Sequence, residues 1–507
     1  MPKEPSLQFP ELAASLGERY TEDIFERAFY RRDLASVPRL LETILAHTMP
    51  HAVARPQNTD EVAALVRYAN AHHIPIVPRA AATTVYWNTV PTRGGLVVDL
   101  NNLRGMISID EEHLTATVQS ATRWGELETA LNQRGCAPLS YPSSAPSATI
   151  GGWVNMEGHG IGSLKYGALA QQLKRLQVVL PSGEIFQATP KSDPPLFWFL
   201  QAEGTLGIIT EVELTIRAKP ESIANYLITF PDLTTLQRAL AALAAATPTP
   251  YNIHFSDAAH LRLLRDAGFP LPTEKPIALV TFDGSAQEVA ASAQTLEKIV
   301  ARGGGELLDN GLANLEWVER FASLRIKRAG PTLLGAEAWL PLNQLAHYAA
   351  ALARLADTQR VPIATYGVVV APTMATVMSV FSSDESRMIN YVLDLSLTKK
   401  IYDVAFRCGG RPYGIGFWNA PYLHRAFASR ELAERLARKR QLDPSNILNP
   451  DKAYRTTALL SPIFFNLGMD LLSMMRRARN PSLRRFPATP LRSAQDASRL
   501  RKVESNR

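Results

Sequence analysis

The sequence predicts an α+β protein with two main domains and a helical C-terminal tail. The chain has 507 residues, more than one hydrophobic core usually serves. Helix-like and strand-like segments alternate twice along it, before and after a break at Lys219-Pro220-Glu221. We therefore expect five parts: a helical lead-in (1–50), a first domain (51–220), a second domain (221–420), a helix and turn that return to the first domain (421–454), and an amphipathic helix with a basic tail (455–507).

The lead-in and the first domain contain segments with the helical spacing of apolar residues and segments with the alternation of a strand. Helical segments are expected at 11–30 and 36–46, and a helix should begin at Thr59 with Val62, Leu65, Val66 and Ala69 on one apolar face. The remaining first-domain elements are strands at 74–77, 96–100, 106–109 and 115–118, a helix at 125–134, and a hairpin of strand 176–180 with a partner from Ile185.

A glycine turn leads into the last strand of the first domain, within residues 200–215. Gly204 and Gly207 permit backbone positions that a side chain would obstruct. The apolar residues Ile209, Val212 and Leu214 then predict a strand.

The second domain repeats the alternation. Strands are expected near 226–230, 277–282 and 332–339, and helices should begin at Leu233, Ser285 and Leu342. A turn at 442–450, with Asp443-Pro444 and Asn449-Pro450, closes a helix near the end.

The positive charge of the chain is local. The formal net charge is +7, but residues 455–507 contain eleven basic and three acidic residues, which leaves about −1 on residues 1–454. This balance argues against nucleic acid as a partner of the main body. Any attraction to acidic partners or to anionic lipid should act through the tail.

Two cysteines, Cys136 and Cys408, are too few for a disulfide framework or for an iron–sulfur cluster held within the chain. We expect two reduced, unrelated thiols, although one bond between them stays open. The first residues lack the apolar run of a signal peptide, and no segment reaches the roughly 20 apolar residues of a spanning helix. The cytoplasm is the expected compartment.

Two small-residue regions suit a phosphate-bearing, flat ligand. The loop 78–84 follows an apolar strand, and its consecutive amides and threonine hydroxyls can cradle an anion. A second, glycine-dense region runs through 141–144, 149–152, 158–162 and 165–167. The GxGxxG nucleotide signature is absent, so a Rossmann cofactor site is not favoured.

These two regions, the Gly204 turn and the 442–450 turn occur in an order that resembles the vanillyl-alcohol oxidase and p-cresol methylhydroxylase superfamily, particularly its glycolate-oxidase-subunit-like branch. The resemblance implies a two-part FAD-binding domain, a substrate (cap) domain and bound FAD. The residues it assigns to the cofactor are Arg79, Ala80, Ala81, Ala82, Thr83, Thr84, Pro142, Ser144, Thr149, Ile150, Gly151, Gly152, His159, Gly204, Ile208, Ile209 and Asn449.

The first loop departs from the family pattern. Ala80 and Ala82 stand where relatives have glycine, and an alanine that needs positive φ would cost on the order of 1 kcal/mol. Relatives that attach the flavin covalently often use a histidine in this loop, whereas this chain has Thr83 and Thr84 there. We therefore expect noncovalent FAD. His159 is a further candidate for ring contact or tethering, the alternative being a histidine satisfied by neighbouring backbone.

The substrate motif also differs from that of relatives. Relatives that oxidise 2-hydroxy acids usually carry a metal-associated His-Gly-Asp-Gly-x-x-His motif, which this chain lacks, and we expect no metal site. Tyr413 stands where some relatives have histidine, and Arg411 lies beside it. This pair is our candidate for orienting or deprotonating the substrate. A nearby cation would have to lower the tyrosine pKa, which is normally near 10.

Arg325 is a third catalytic candidate, because residues 316–325 resemble the substrate domain of relatives. Its guanidinium could hold a carboxylate or phosphate with two parallel hydrogen bonds. The alternative is a solvated arginine on a helix face. His254, Tyr366 and Trp418 are further pocket candidates, with packing as the alternative for each.

The leading hypothesis is an FAD-dependent oxidase or dehydrogenase that takes a hydride from the hydroxyl-bearing carbon of a small-molecule substrate, a 2-hydroxy acid or related alcohol. The electrons would pass to oxygen, or to an acceptor protein or partner subunit. One alternative is oxidation of a phenol or other alcohol centred on Tyr413. Another is a degenerate flavin scaffold that serves as a subunit.

The tail predicts an amphipathic helix that begins at Ser461-Pro462. Asn466, Asp470, Ser473 and Arg477 form a narrow polar stripe among apolar residues. With the arginines that follow, among them Arg476, Arg479, Arg484 and Arg485, residues 461–485 could lie on an anionic membrane or dock a partner subunit. The alternative is packing on the protein itself, followed by a disordered basic end.

Overall fold

A computed structural model of the chain describes residues 9–35, 37, 42, 44–271, 273–454 and 460–479. In these residues helices flank three β-sheets, so the predicted α+β class is confirmed. Much of the helix expected at 36–46 lies outside the described residues, as do Arg484 and Arg485.

The strands are β1 (Tyr20–Thr21), β2 (Ala52–Ala54), β3 (Ile76–Arg79), β4 (Leu96–Asp99), β5 (Met106–Asp110), β6 (Thr115–Gln119), β7 (Cys136–Pro138), β8 (Leu173–Val179), β9 (Ile185–Ala188), β10 (Ile208–Ala218), β11 (Ser222–Thr229), β12 (Asn252–Ser256), β13 (Ile277–Gly284), β14 (Glu306–Leu307), β15 (Thr332–Pro341), β16 (Ala364–Ala371), β17 (Met374–Ser383) and β18 (Arg411–Pro412).

The helices are α1 (Pro10–Leu16), α2 (Ile24–Phe29), α3 (Thr59–Ala71), α4 (Trp124–Asn132), α5 (Ile150–Asn155), α6 (Ser163–Tyr166), α7 (Leu169–Gln172), α8 (Leu233–Ala244), α9 (Ala258–Asp266), α10 (Ala286–Gly303), α11 (Asn310–Val318), α12 (Leu345–Gln359), α13 (Met388–Arg407), α14 (Leu423–Ala426), α15 (Ser429–Leu442) and α16 (Pro462–Ala478).

The first sheet has the order β1-β2-β4-β3, and its last three strands are parallel. Helix α3 begins at Thr59 as predicted, because the side chain of Asn58 accepts a hydrogen bond from the Glu61 N–H at 2.9 Å. The C-terminal turn joins this sheet, since the Asn449 N–H donates to the Ile76 carbonyl at 2.7 Å.

The second sheet is antiparallel, with the order β5-β6-β10-β8-β9 and with β7 paired to β10. Buried and partly exposed residues alternate along β10 from Thr210 to Ile216, the pattern of a strand with one covered face. Cys136, on β7, and Cys408 are both buried and unbonded.

The third sheet is antiparallel, with the order β14-β11-β13-β12-β16-β17-β15-β18. It begins after the break near residue 220, since β10 ends at Ala218 and β11 begins at Ser222. Helices α8, α12 and α13 contribute to the large apolar core that covers it. Helix α10 begins at a capping box in which Ser285 and Glu288 satisfy each other's backbone N–H groups.

The helical segment expected at 11–30 is interrupted. Gly17, with φ of 57°, ends α1, and the chain then forms β1, which pairs with β2, before α2 begins. A helix requires continuous local hydrogen bonds, and here pairing with a distant strand replaces them.

Candidate functional site

A cavity of about 570 Å³ lies between the loops of the first two sheets and one face of the third. Its cofactor-side wall contains most of the predicted residues: Arg79, Ala80, Ala81, Ala82, Thr83, Thr84, Pro142, Ser144, Thr149, Gly151, Gly152, His159, Gly204, Ile208 and Ile209. Parts of β15, β16 and β17 form the opposite wall.

The first loop follows β3 and has one strained residue. Ala82 has a φ of 51°, the left-handed region that favours glycine, whereas Ala80 is not in that region. The Arg79 guanidinium donates to the carbonyl oxygens of Tyr30 and Thr89, at 3.5 and 3.3 Å. It therefore holds the loop onto the N-terminal segment.

Unused donors in this wall fit the phosphate-bearing cofactor. The backbone N–H groups of Ala81, Ala82 and Thr83 donate to no acceptor among the described residues. The Ser120 hydroxyl is buried at the cavity without a partner in the described part of the chain. A buried hydroxyl rarely stays unpaired, and three consecutive free amides can hold an anion, so these donors match the pyrophosphate and polar edges of FAD.

Gly151 lets the second loop lie close to Ser120, which directly follows β6. A Cβ atom there would lie 2.7 Å from Ser120 Cβ, too close for any other residue without a shift. Ile150 does not line the cavity; it packs into the core, and its N–H donates to the Thr122 carbonyl at 2.9 Å. Its contribution is to position Gly151 and Gly152.

The third loop turns at Gly204, whose φ is 73°. Asn449 supports this turn without lining the cavity, because its side-chain N–H donates to the carbonyls of Glu203 and Asn88 at 2.7 and 2.8 Å. Asn449 therefore supports the third loop from outside the cavity, and its contact with the cofactor stays a prediction.

Glu203 also lines the cavity, although it is not among the residues that the sequence analysis singled out. Burial raises the pKa of its carboxyl to about 7, opposed by hydrogen bonds from the N–H groups of Ile415 and Gly416 at 3.0 and 2.7 Å. These bonds tie the third loop to the turn that follows Tyr413. An acidic residue directly before a glycine turn was the signal available.

His159 lies where the two walls meet. Its Nδ1 is 2.9 Å from the Glu157 carbonyl, and its ring is edge-to-face with Trp339 at 4.5 Å between centroids. Burial lowers its pKa to about 4, so the ring is neutral near pH 7. Nδ1 therefore carries the proton and donates, which leaves Nε2 without one.

Tyr413 reaches the cavity, but its environment opposes a role as base. Its hydroxyl donates to the His159 carbonyl at 3.4 Å and accepts from the His159 N–H at 3.2 Å. Burial, and next the charge of Glu337, raise its pKa well above the usual 10.

Arg411 does not line the cavity; it is exposed and lies over the Trp339 ring at 5.1 Å. The cation that the tyrosine would need is not supplied by Arg411.

Arg325 is held away from the large cavity. Its guanidinium pairs with Glu316 at 2.9 Å and with Glu319, which neutralise it. It lines a separate cavity of about 50 Å³. His254 and Tyr366 line both cavities, whereas Trp418 lines only the large one. Arg325, which we expected to bind a carboxylate or phosphate of the substrate, forms an internal ion pair instead.

Glu337, on β15, is a candidate acid–base group that the sequence analysis did not single out. Its carboxyl lines the large cavity, and the Tyr86 hydroxyl donates to its Oε2 at 2.6 Å. Burial raises its pKa to about 7, against the lowering effect of that hydrogen bond. A lone acidic residue between Ala336 and Ala338, within an apolar strand, was the available signal.

Among the described residues, no group of three or more His, Cys, Asp or Glu side chains is placed to hold a metal ion. Within the same part of the chain, no helix has both the length and the apolar composition that crossing a bilayer requires.

Two family models match the chain: the FAD binding domain over residues 50–189 and the C-terminal domain of FAD linked oxidases over 219–453. Glycolate oxidase subunit GlcD of Bacillus subtilis (strain 168) is 30% identical over 81% of this chain and 90% of that protein. A mitochondrial D-lactate dehydrogenase (cytochrome) of Arabidopsis thaliana is 23% identical over 88% and 80%. D-2-hydroxyglutarate dehydrogenase of Xanthomonas citri pv. viticola is 26% identical over 80% and 90%.

Solved structures share the fold at low identity. Substrate-bound p-cresol methylhydroxylase matches with a TM-score of 0.73 and 16% identity, over 88% of this chain and 96% of that one. Alkyldihydroxyacetonephosphate synthase matches with a TM-score of 0.71 and 19% identity, over 88% and 86%. The chain belongs to the FAD-linked oxidases and is an FAD-dependent oxidoreductase.

Proposed function

We propose that this protein oxidises the hydroxyl-bearing carbon of a 2-hydroxy acid or related alcohol and that Glu337 accepts the hydroxyl proton. The names of the relatives, which are glycolate, D-lactate and D-2-hydroxyglutarate enzymes, support this reaction class. The observation that carries the proposal is Glu337, which lines the same cavity as the cofactor loops.

FAD would be held by the first two loops and Ser120. The free amides of Ala81, Ala82 and Thr83 suit the pyrophosphate, and the Gly151-Gly152 backbone allows close approach of a flat ring. When bound, FAD supplies the acceptor for a hydride.

Glu337 has the properties of a general base near neutral pH. With a pKa of about 7, a large fraction of the carboxyl is ionised at pH 7 and can accept a proton. Tyr86 occupies Oε2, whereas Oε1 accepts no hydrogen bond from a described residue and is available to the substrate hydroxyl. Tyr86 therefore orients the carboxylate and leaves one oxygen for chemistry.

The charges that line the cavity favour an uncharged alcohol as a second candidate substrate. Among the described residues, the lysines and arginines that line it are Arg79 and Lys327. Arg79 is engaged with backbone carbonyls on the cofactor side, and Lys327 is exposed. A carboxylate beside the reacting carbon would therefore lack a buried cation close to Glu337, whereas a plain alcohol needs none.

Flavin bleaching tests the proposal. The purified holoenzyme, whose visible spectrum first establishes bound flavin, is mixed without oxygen with 2-hydroxy acids, uncharged alcohols and phenols in parallel. We expect bleaching by a hydroxy acid or an alcohol and its loss in Glu337→Gln with the flavin still bound. Bleaching by phenols alone would support the phenol alternative. Colourless protein that takes up no FAD would support the scaffold alternative.

The names of two relatives support a protein as the electron acceptor, since one is a subunit and the other a cytochrome-linked dehydrogenase. Reoxidation of the reduced flavin by dissolved oxygen should then be much slower than its reduction by substrate. Stopped-flow absorbance measures both rates. Fast reoxidation that matches turnover would instead make the protein an oxidase.

A further inference from the structure

The outward side of α16 is unusually apolar for an exposed surface. Six large apolar side chains on this helix are between 49% and 79% exposed. They recur at spacings of three and four residues, so they share one face of the helix. We name this face the outer face of α16; it consists of Ile463, Phe464, Leu467, Leu471, Met474 and Met475.

The opposite side holds the helix on the protein. Arg476 is buried and donates from Nε to Asp394 at 2.9 Å and from a terminal nitrogen to the Gln359 carbonyl at 3.0 Å. Asp470 pairs with Lys399 at 3.3 Å and with Lys400 at 3.0 Å. These bonds orient the helix, so the outer face points away from the body as a consequence of specific contacts.

The same inner side closes one end of the large cavity. Phe465 and Met469 line that cavity, and Phe465 packs edge-to-face on Tyr422 at 5.5 Å between centroids. The width of a single helix, about 10–12 Å, therefore separates the cavity from whatever covers the outer face.

Positive charge adjoins the outer face. Arg477 and Arg479 are exposed at its C-terminal end, and residues 480–507 contain seven basic and two acidic residues. Residues 1–454 carry a net charge of about −1, so the excess of positive charge in the chain lies in residues 455–507, the part of the sequence that contains α16. An apolar helix face joined to arginines complements an anionic bilayer, whose acyl region accepts the former and whose headgroups attract the latter.

We propose that α16 docks this protein on the surface of an anionic membrane, with its outer face in the acyl boundary and the arginines that follow it on the lipid headgroups. The end of the cavity lined by Phe465 and Met469 then lies directly above the lipid. The proposal does not depend on the identity of the substrate or on Glu337.

Vesicle sedimentation of the full-length holoenzyme tests the docking. The probes are vesicles of phosphatidylcholine alone and of phosphatidylcholine with phosphatidylglycerol. We expect sedimentation with the anionic vesicles, weakening with added salt, and at least tenfold weaker binding by the Leu467→Glu/Leu471→Glu variant. Both leucines are exposed, so flavin content and thermal midpoint should be unchanged.

Ile223→Glu is the control, because it also places a charge on an exposed apolar residue, and Ile223 is 49% exposed. Ile223 lies on β11, whereas α16 packs on α13, which covers β15. These two strands are far apart in the order of the third sheet. The Ile223→Glu variant should bind vesicles like the wild type. Equal binding by wild type and the double variant, or by the two kinds of vesicle, would overturn the proposal. So would a wild-type dimer that becomes monomeric in the double variant without vesicle binding, since the face would then belong to a second copy.

Discussion

At the scale of single residues, the proposed chemistry depends on a carboxyl with a raised pKa. Glu337 has a pKa of about 7 because burial disfavours its charge, and Tyr86 limits the rise by donating to it. A base works only when ionised, so reduction of the flavin should be slow below pH 7 and should level off above it.

Glu337→Gln should lower the rate of flavin reduction about 10²- to 10⁴-fold, because the amide cannot accept the proton. The pH dependence near 7 should disappear, while FAD content stays the same. Stopped-flow absorbance across pH 5–9 measures this. Retention of the wild-type rate and profile would remove Glu337 from the mechanism.

Tyr86→Phe should move the midpoint of the same profile to higher pH, because a hydrogen bond that stabilises the ionised carboxyl is lost. Tyr226→Phe is the control, since Tyr226 lies on β11, away from the cavity. A midpoint unchanged by Tyr86→Phe would show that the tyrosine does not set the carboxyl pKa.

Ala82→Gly should stabilise the holoenzyme by about 1 kcal/mol, because glycine adopts the left-handed conformation of this residue without a Cβ penalty. Thermal unfolding and FAD titration measure the effect. Ala81→Gly is the control; its φ is not positive, so glycine there should be neutral or destabilising. Equal effects of the two substitutions would contradict the assigned strain.

At the scale of elements, α16 is held by a buried ion pair. Arg476→Ala would leave Asp394 buried without its guanidinium partner and should destabilise the docked helix by about 3 kcal/mol. Limited proteolysis should then cleave near residues 460–479 faster, with the flavin spectrum unchanged. Arg477→Ala, an exposed neighbour, should cleave like the wild type; equal rates for all three proteins would contradict the anchoring role.

The helices and strands show how far local pattern determines structure. Helix α3 begins at the predicted residue because its cap and apolar face are both encoded within one short segment. The N-terminal segment differs, since pairing of β1 with β2 interrupts the expected helix, and the strand partner lies more than 30 residues away.

At the scale of the whole molecule, the cofactor site joins parts that are distant in sequence. Loops of the first two sheets and the face of the third surround one cavity, so bound FAD should stabilise the folded protein as a unit. Excess FAD should raise the stability of the apoprotein by about 2.7 kcal/mol at a hundredfold excess over Kd. Unfolding in acid should release the flavin, and an intact mass equal to that of the polypeptide would confirm noncovalent binding; retained flavin would contradict it.

The sequence by itself determined the α+β class and most of the strands, because periodicity, caps and glycine turns act between close neighbours. It also indicated the loops of the cofactor wall, through their resemblance to a known family. Only the tertiary structure decided which polar groups face that wall. Glu337 accepts a hydrogen bond from Tyr86, which is 251 residues away in the sequence. Arg325 forms ion pairs with Glu316 and Glu319, and Arg411 lies over the Trp339 ring. Such contacts, and the burial that shifts a pKa, depend on how sheets pack, which no local pattern encodes.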